Sequence, residues 1–244
     1  MAKNLVDLLW RDESSAAAGG RRGPRARRST AEVISRAIEL ADHADLDAVT
    51  IRALAQSLQL PPMSIYTHVN SRADLLVLMV DVMHSRMRVR SVEEVGWPAR
   101  VRAVAEDNLA LLRGHPWVLD IADQRATLGP GTIAKYDREL HAFDDTGLGD
   151  IERDAALSFL LDFVHAAAMR MRESAEKEQF GAFWAEAGPR LATYLGEDYP
   201  LAQSVGQAAG ESLGTPYDAA VAWEFGLARV IDGLRAIIGE HPGS

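Results

Sequence analysis

The chain has 244 residues, of which 48% are hydrophobic and 25% are charged, and it contains no cysteine. This composition allows a substantial core, and it excludes a disulfide framework, a thiol nucleophile and a cysteine metal site. The net charge of −9 is divided unevenly, because residues 1–90 hold 13 basic and 10 acidic residues (+3) whereas residues 91–244 hold 13 and 25 (−12). A basic front and an acidic back are typical of a protein whose front alone contacts phosphate.

The first 28 residues combine an apolar cluster with a run of arginines. The cluster, Leu5 to Trp10, either docks on the protein or stays loose. The run contains Gly23 and Pro24, which both disfavour a helix. Its cations are Arg21, Arg22, Arg25, Arg27 and Arg28. We interpret residues 1–28 as a flexible basic arm for the minor groove of DNA, where narrow A·T-rich stretches concentrate negative potential; the alternative is a solvated disordered tail.

A first helix is predicted from Ser29 to His43. It begins with the pattern Ser29-x-x-Glu32, a capping box in which the two side chains satisfy free N–H groups of the first turn. A polar link then leads to Thr50, whose hydroxyl is placed to cap a second helix. The apolar spacing in that helix predicts one buried face, formed by Ile51, Leu54, Ala55 and Leu58.

A short third helix is predicted after Pro61 and Pro62, which end the second helix and favour a new start. Ile65 and Val69 are four residues apart and are predicted to point inward. The outer face would present the polar side chains of Ser64, Tyr66, Thr67 and His68. Such groups suit a DNA major groove, where they bond to base edges or phosphates. The pattern alone is equally consistent with an ordinary helical hairpin that has a polar outer face.

A fourth helix is predicted to run from Ser71 to Met87. The pattern Ser71-x-x-Asp74 resembles another N-terminal box. Its apolar side chains are too many for one face of a helix, namely Leu75, Leu76, Leu78, Met79, Val82 and Met83. We therefore expect this helix to pack on both domains and to link them mechanically.

Residues 91–244 are predicted to form a larger helical region. The expected helices are residues 97–113, a short one that ends near 124, and residues 129–143, 150–174 and 215–239. Residues 180–215 are predicted to be irregular, with short helical pieces interrupted by glycine and proline. The helices at 150–174 and 215–239 are rich in alanine and glycine, so they can approach closely, either within one chain or in a four-helix dimer interface.

Three motifs give the chain a resemblance to a known family. They are Leu-Ala-x-x-Leu from Leu54, Ser-Ile-Tyr-x-His-Val from Ser64, and x-x-Arg-x-Asp-Leu-Leu ending at Leu76. With these motifs, residues 30–87 resemble the DNA-binding domain of the tetracycline-repressor (TetR) family. The turn carries Gln59 where the family often has glycine, and glutamine bears a modest cost if that position needs a positive φ.

The resemblance implies an all-α fold with an N-terminal three-helix helix-turn-helix (HTH) domain and a larger helical ligand-binding and dimerisation domain. Residues 1–28, 29–90 and 91–244 would form the arm, the HTH domain and the ligand domain. The last of these is also similar to that of tailed, antibiotic-sensing regulators of actinomycetes. Besides the arm, the DNA-binding residues that the resemblance implies are Thr50, Arg52, Pro62, Met63, Ser64, Tyr66, Thr67, His68 and Arg72.

A ligand pocket is expected within residues 91–244, with apolar walls and a few polar groups. The candidates are Asn108, His115, Trp117, Asp120, Gln124, Arg125, His165, Met169, Trp184 and Trp223, and packing is the alternative role for each. The tetracycline repressor places a metal-binding histidine soon after its fifth helix. Residues 118–131 contain no histidine, so we expect neither a metal nor a magnesium–tetracycline effector.

Enzymatic and membrane functions are not predicted. The chain has no G-x-S-x-G motif, no Walker loop and no H-E-x-x-H motif, so we expect no catalytic residue and no cofactor. No apolar run approaches the roughly 18 residues that span a bilayer. The first 15 residues lack the apolar core of a secretory signal. We therefore expect a cytoplasmic protein.

These expectations predict a homodimeric transcriptional repressor on a palindromic operator in double-stranded DNA. A small hydrophobic or amphipathic effector, such as an antibiotic or a metabolite, would release it. One alternative is a DNA-binding activator or architectural protein without a small-molecule ligand. The other is an enzyme or a small-molecule-binding protein in which the HTH resemblance is vestigial.

Overall fold

The structure is a computed structural model that describes residues 3–11, 28–90, 95–121, 124–175, 178–213 and 217–239. The regular structure of these residues is helical, which confirms the predicted all-α fold. The α-helices are, in chain order, α1 Leu5–Leu9, α2 Thr30–Ala44, α3 Ile51–Ser57, α4 Pro62–Ile65, α5 Arg72–Arg86, α6 Trp97–Gly114, α7 Pro130–Leu140, α8 Asp150–Ala175, α9 Glu178–Leu195, α10 Pro200–Leu213 and α11 Ala219–Gly239. Short 3₁₀ helices lie at Pro116–Asp120, Gln124–Leu128 and His141–Phe143.

The chain divides into two compact units, residues 1–145 and residues 146–244. The first unit contains α1 to α7, because α7 packs closely against α5. The boundary expected after residue 90 therefore lies inside this unit, and α5 is surrounded by elements from both sides of it. The second unit contains α8 to α11, of which α8 and α11 pack on each other.

The helices α2 to α4 form the predicted HTH arrangement. The capping box at the start of α2 is confirmed, since the Ser29 hydroxyl accepts from the Glu32 N–H and the Glu32 carboxylate accepts from the Ser29 N–H. Thr50 caps α3 through the Ala53 N–H at 3.1 Å. Gln59, in the turn before α4, has a φ of +56°. This is the left-handed conformation that favours glycine, so the expected local cost is present.

The long helix α5 is buried around most of its circumference, as its apolar content predicts. Ser71 caps it by accepting from the Asp74 N–H at 3.0 Å. Its side chains pack against α1, α2, α7 and the 3₁₀ helix at Gln124–Leu128. The helix therefore joins the HTH helices to the rest of the first unit.

The N-terminal segment corrects part of the predicted arm. Residues 5–9 form α1, in which Leu8 and Leu9 are buried in the core. The side chain of Asn4 caps this helix by accepting from Val6 N–H. Trp10 Nε1 donates to the carbonyl of Leu128 at 2.9 Å. The first part of the arm is thus a docked helix, because burial of its leucines favours one face against α5.

Residues 180–213 are more regular than predicted, because two long helices take the place of the short helical pieces. Helices α9 and α10 occupy most of this range, with Pro189 inside α9 and Pro200 at the start of α10. Proline is tolerated at the first turn of a helix because its missing N–H has no partner there. In the same unit Phe163 of α8 stacks on Trp223 of α11, with ring centroids 5.3 Å apart.

Candidate functional site

The candidate nucleic-acid surface of the first unit is formed by α3, α4 and the turn after α4. Thr50, Arg52, Pro62 and Thr67 are exposed, and Ser64 is half-buried. Two large side chains also project into solvent, with 73% of Met63 and 46% of Tyr66 exposed. Ile65 and Val69 are buried beneath them, as predicted. This face presents hydroxyls, a phenol, a thioether and a guanidinium to one side.

His68 does not belong to this surface, so the prediction that it points outward was wrong. It is only 8% exposed. Its Nδ1 lies 3.0 Å from the hydroxyl of Thr30 at the start of α2. Burial, with the positive charge of Lys3, lowers the pKa of His68. A neutral imidazole at this position joins the recognition segment to α2 and positions the surface.

Arg72 also has a different role from the one that the resemblance implied. Its Nε donates to the carbonyl of Val49 and its Nη2 to the carbonyl of Leu46, each at 2.7 Å. These carbonyls lie in the link between α2 and α3. The guanidinium therefore joins the start of α5 to the HTH through two hydrogen bonds to backbone oxygens.

Lys3 adds a cation that sequence reasoning missed. Its Nζ donates to the carbonyl of Thr67 at 2.6 Å, and its backbone N–H donates to Asn70 Oδ1 at 2.9 Å. The docking of α1 thus brings an exposed ammonium group to the end of the recognition segment. In the sequence, the signal for this contact was the apolar cluster at Leu5 to Trp10. The sequence did not show where that cluster docks, so the position of Lys3 could not be predicted.

The arginine run lies almost wholly outside the described residues, including Arg21, Arg22, Arg25 and Arg27. Arg28 is described and exposed, and its Nη1 lies 3.4 Å from the carboxylate of Glu32. Because both side chains are solvent-exposed, this pair contributes little and leaves Arg28 accessible to another anion.

A pocket of about 100 Å³, open to solvent, lies in the first unit beyond the C-terminal end of α5. Its apolar walls come from the residues that follow α5, from α6 and from the 3₁₀ helix after α7. They are formed by Met87, Val89, Ala103, Val104 and Ala142. Polar side chains also line it, namely Arg90, Arg100, Asp107, Arg138, Glu139 and His141. A mainly apolar lining with a few polar groups is typical of a small-molecule site.

A buried polar cluster connects α5 to α7 beside this pocket. Asp81 Oδ1 accepts from the backbone N–H of Thr132 at 2.8 Å, and His84 Nδ1 lies 2.9 Å from the Thr132 hydroxyl. Further along α7, Lys135 Nζ donates to Glu139 Oε2 at 2.6 Å. Burial lowers the pKa of Lys135, and its partner Glu139 opposes that change.

The expected ligand residues do not line this pocket, and several of them have other partners. Asn108 is buried and donates to Glu139 Oε1 at 2.6 Å. His115 and Trp117 both bond to Asp42 Oδ1, at 2.7 and 2.6 Å. Their polar atoms therefore join α2 to the segment after α6, which is a positioning role within the unit.

The remaining candidates are dispersed over both units. Arg125 pairs with Asp74 at 3.1 Å, and Asp120 is exposed. In the second unit, Trp223 is buried against Phe163. His165 and Met169 are exposed on α8. The side chains of Gln124 and Trp184 lie outside the described part of the structure.

The described parts of the chain offer no candidate metal centre and no candidate membrane span. Within them, no group of three or more histidine, aspartate or glutamate side chains is arranged to hold a metal ion. None of the helices described has the length and apolar character needed to cross a bilayer.

An HTH with an exposed polar recognition segment, joined by a shared helix to a helical body with a pocket, defines a regulator of the helix-turn-helix class. Residues 91–238 match the family model described as the tetracyclin repressor-like C-terminal domain. The chain belongs to the tetracycline-repressor family of transcriptional regulators.

Relatives of this chain are themselves regulators. The HTH-type transcriptional repressor DrrR1 of Streptomyces coeruleorubidus is 29% identical over 245 residues, which cover 98% of this chain and 87% of DrrR1. The TetR family protein ActR of Streptomyces coelicolor, in complex with actinorhodin, matches with a TM-score of 0.75 at 27% identity, covering 88% of this chain and 100% of ActR. Apo ActR matches with a TM-score of 0.71 at 25% identity, covering 89% and 99%.

Proposed function

We propose that this chain is a ligand-responsive transcriptional repressor that binds a palindromic operator as a homodimer and is released by a small hydrophobic or amphipathic molecule. The observation that carries the proposal is the position of α5. At its start, Arg72 bonds to two backbone carbonyls of the HTH. At its other end lie the pocket and the buried contacts with α7. One rigid element therefore connects the surface for DNA to the site for a ligand.

Operator binding would use the exposed face of α3 and α4. The phenol of Tyr66 is placed to donate to a phosphate, which fixes orientation without reading sequence. Arg52 is exposed, and in the described structure it makes no hydrogen bond or ion pair, so its donors are available to a guanine edge. Met63, which is 73% exposed, offers an apolar contact to a thymine methyl group.

Release by a ligand would follow from a population shift. A molecule that binds more tightly to one arrangement of α5 and α7 favours that arrangement. Helix α5 has 15 residues, which is about 22 Å along its axis by the helical rise. A small tilt over this length changes the distance between the two recognition segments of a dimer. That distance must match half-sites that lie about 34–36 Å apart on one face of DNA.

Dimerisation would use the second unit. Helices α8 and α11 pack together and leave several large apolar side chains exposed, namely Ile151, Phe159, Val221, Phe225 and Ile237. Exposed apolar patches of this kind mark interaction surfaces. Two glycines in the middle of α11 differ in environment, because a Cβ on Gly226 would meet the Phe163 ring at 2.5 Å whereas Gly233 faces open space. Gly226 thus serves packing within the chain, and Gly233 is the one that leaves room for a second copy.

The relatives agree with this proposal in two respects. DrrR1 is named a transcriptional repressor. ActR has been crystallised with actinorhodin and, in another structure, with (S)-DNPA, so it accommodates small organic molecules. We extend the repressor function and the response to an organic ligand to this chain.

The test begins with selection of operator DNA from a random library by the full-length protein, followed by fluorescence anisotropy with the selected duplex. We expect Tyr66→Phe to weaken binding to all sequences and Arg52→Ala to relax one operator position by about 1–3 kcal/mol. The matched control is Arg113→Ala, an exposed arginine at the end of α6. If the protein selects no sequence, or Arg52→Ala behaves as Arg113→Ala does, the proposed surface is wrong.

A further inference from the structure

The cations beside the recognition segment differ from those that the resemblance implied. Arg72 donates to two backbone carbonyls of the protein. Lys3, by contrast, is exposed, and its Nζ donates to one neutral acceptor, the carbonyl of Thr67, at 2.6 Å. In the described part of the chain this ammonium group makes no ion pair with a carboxylate. Since an ammonium group has three donors, Lys3 keeps donors and an unbalanced charge for an anion from outside the chain.

The backbone of Lys3 is held by the side-chain amide of Asn70. The Lys3 N–H donates to Asn70 Oδ1, and Asn70 Nδ2 donates to the Lys3 carbonyl, at 2.9 Å each. Asn70 Nδ2 also donates to Asp74 Oδ2 at 3.0 Å, and the other oxygen of Asp74 pairs with Arg125 at 3.1 Å. Lys3 is therefore placed by a polar network that runs from the turn before α5 to the 3₁₀ helix at Gln124–Leu128.

Helix α1 holds the other end of the same segment. Leu8 and Leu9 are buried in the core. Trp10 Nε1 donates to the carbonyl of Leu128 at 2.9 Å. The segment that carries Lys3 is thus fixed at both of its ends. An ordered backbone reduces the conformational entropy that a side chain loses when it binds a ligand, so Lys3 is prepared for a contact.

The position of Lys3 is at the end of the recognition segment where an HTH approaches the DNA backbone. In this motif the N-terminal residues of the recognition helix contact base edges. The segment begins at Pro62, and Thr67 lies toward its opposite end, directly after the exposed Tyr66. A lysine ammonium is a point charge without the planar edge of arginine, and it is a common ligand of phosphate.

The charge of Lys3 is also felt at the neighbouring imidazole. Burial, followed by the positive charge of Lys3, lowers the pKa of His68. The imidazole is therefore neutral and donates no positive charge to this edge of the surface. The positive potential that an approaching phosphate meets here comes from the ammonium group of Lys3.

We infer that Lys3 binds a phosphate of the operator backbone at the edge of the recognition segment, and that Asn70 and α1 position it there. This inference rests on the proposed function and adds a DNA-binding residue to it. The docked segment supplies the cation that the resemblance expected from Arg72. It is separate from the arginine run, because Lys3 is held against the HTH by the protein itself.

The test measures the affinity of the full-length protein for its selected operator, and for an unrelated duplex of equal length, across a salt series. Lys3→Gln removes the charge and leaves the backbone bonds to Asn70 in place. A dimer that loses two phosphate contacts should lose about 1.8 from the slope of log K against log salt. Between about 50 and 200 mM salt, the native protein should therefore lose about tenfold more affinity than the variant. The change should be similar on both duplexes, since a phosphate carries no base information.

Two controls separate this contact from a general effect of charge. Lys3→Arg keeps the charge and should keep the native slope, because the slope counts neutralised phosphates. Arg113→Gln removes one positive charge at an exposed position of α6 and should also keep the native slope. Because Lys3 is exposed, we expect Lys3→Gln to melt within about 2 °C of the native protein.

The positioning role of Asn70 is measured by a double-mutant cycle. Asn70→Ala removes both bonds that hold the Lys3 backbone and leaves the ammonium group on the chain. It should reduce the salt slope in the native background. In the Lys3→Gln background it should reduce the slope no further, because the contact that it positions is already absent.

The inference is overturned if Lys3→Gln keeps the native slope, or if Arg113→Gln loses as much slope as Lys3→Gln does. It is also overturned if Asn70→Ala lowers the slope equally in both backgrounds, since Asn70 would then act independently of Lys3. These results leave the proposed function standing, because the native protein still selects an operator. If the native protein selects no operator, the proposed function is refuted and this inference with it.

Discussion

Asp81 on α5 accepts the backbone N–H of Thr132 at 2.8 Å and so caps the first turn of α7 from a neighbouring helix. Helix α7 begins with Gly129 and Pro130 and has no side-chain cap of its own. The first-turn N–H groups need acceptors, and the helix dipole favours a carboxylate at this end. Burial raises the pKa of Asp81, and its hydrogen bonds with Thr132 oppose that change. One carboxylate therefore couples the helix that carries the HTH to a helix that lines the pocket.

The first prediction concerns this cap. Asp81→Ala should lower the free energy of unfolding by about 1–3 kcal/mol, because a buried first-turn N–H loses its acceptor. Asp81→Asn keeps an acceptor oxygen and should lose less. Urea denaturation of the three proteins measures the difference. If the urea midpoint of Asp81→Ala equals that of the native protein, the cap contributes no stability.

The second prediction concerns the close approach of the same two helices. A Cβ on Gly131 would lie 2.2 Å from the backbone oxygen of Asp81, so Gly131→Ala must push the helices apart. Overpacking of this kind costs about 1–3 kcal/mol. Gly114, at the end of α6, has no atom within 4 Å of its ideal Cβ, and Gly114→Ala is the matched control. Equal melting temperatures for the two variants would contradict the packing that the structure describes.

Local patterns were sufficient to predict much of the fold and part of the site. The box at Ser29 and Glu32 and the cap at Thr50 depend on residues near one another in sequence, and both are confirmed. The position of Gln59, where the family often has glycine, does have a positive φ. The orientation of His68 was misjudged because its partner is distant, since Thr30 lies 38 residues away. A polar residue in a recognition motif looks the same in sequence whether it faces DNA or the protein.

The pocket could not be predicted for a related reason. Which polar groups of the lining are already paired depends on residues far apart in sequence. Glu139, for example, accepts from Asn108, 31 residues away, as well as from Lys135. Likewise, glycine and proline in residues 180–215 predicted an irregular segment with short helical pieces, yet Pro200 occupies a first turn, where proline is compatible with a helix.

The third prediction concerns pH. Burial and the charges of Lys135 and Arg138 lower the pKa of His84 to about 3 in the folded protein, whereas an unfolded chain takes up this proton near pH 6.5. Between these values the unfolded state binds more protons, so stability falls as the pH falls through this window. Each pH unit below the unfolded pKa costs up to about 1.4 kcal/mol.

Urea denaturation at several pH values between 8 and 4 measures this effect. The native protein should lose more stability on acidification than His84→Asn does, because asparagine takes up no proton. His43→Asn, at an exposed histidine, controls for the general effect of replacing this residue type. Parallel curves for the native protein and His84→Asn would mean that His84 is not held neutral in the fold.

The fourth prediction concerns the second unit. Phe225 of α11 is 65% exposed in the single chain. If α8 and α11 form the dimer interface, Phe225→Glu places a charge in that interface, where an unpaired charge is costly. Sedimentation at micromolar concentration should show a dimer for the native protein and a shift to monomer for the variant. Ile133→Glu, at an exposed apolar residue of α7, should remain dimeric; a native monomer would refute the interface.

The last prediction concerns the arginine run, and the docking of α1 changes how it must be tested. Deletion of residues 1–28 would also remove Leu8, Leu9 and the contact of Lys3 with the recognition segment. Replacement of the five arginines by glutamine leaves these contacts in place. The positions are Arg21, Arg22, Arg25, Arg27 and Arg28.

Each phosphate that an arginine neutralises adds about −0.9 to the slope of log K against log salt for duplex DNA. If about three arginines per subunit engage, the variant dimer should lose roughly five units of slope. It should also lose any preference for A·T-rich flanks, because a narrow minor groove attracts the arm through its potential. The preference within the half-site should survive, since α3 and α4 read it separately. Operator affinity across a salt series measures both effects, and equal slopes for the two proteins would show that the run is a solvated tail.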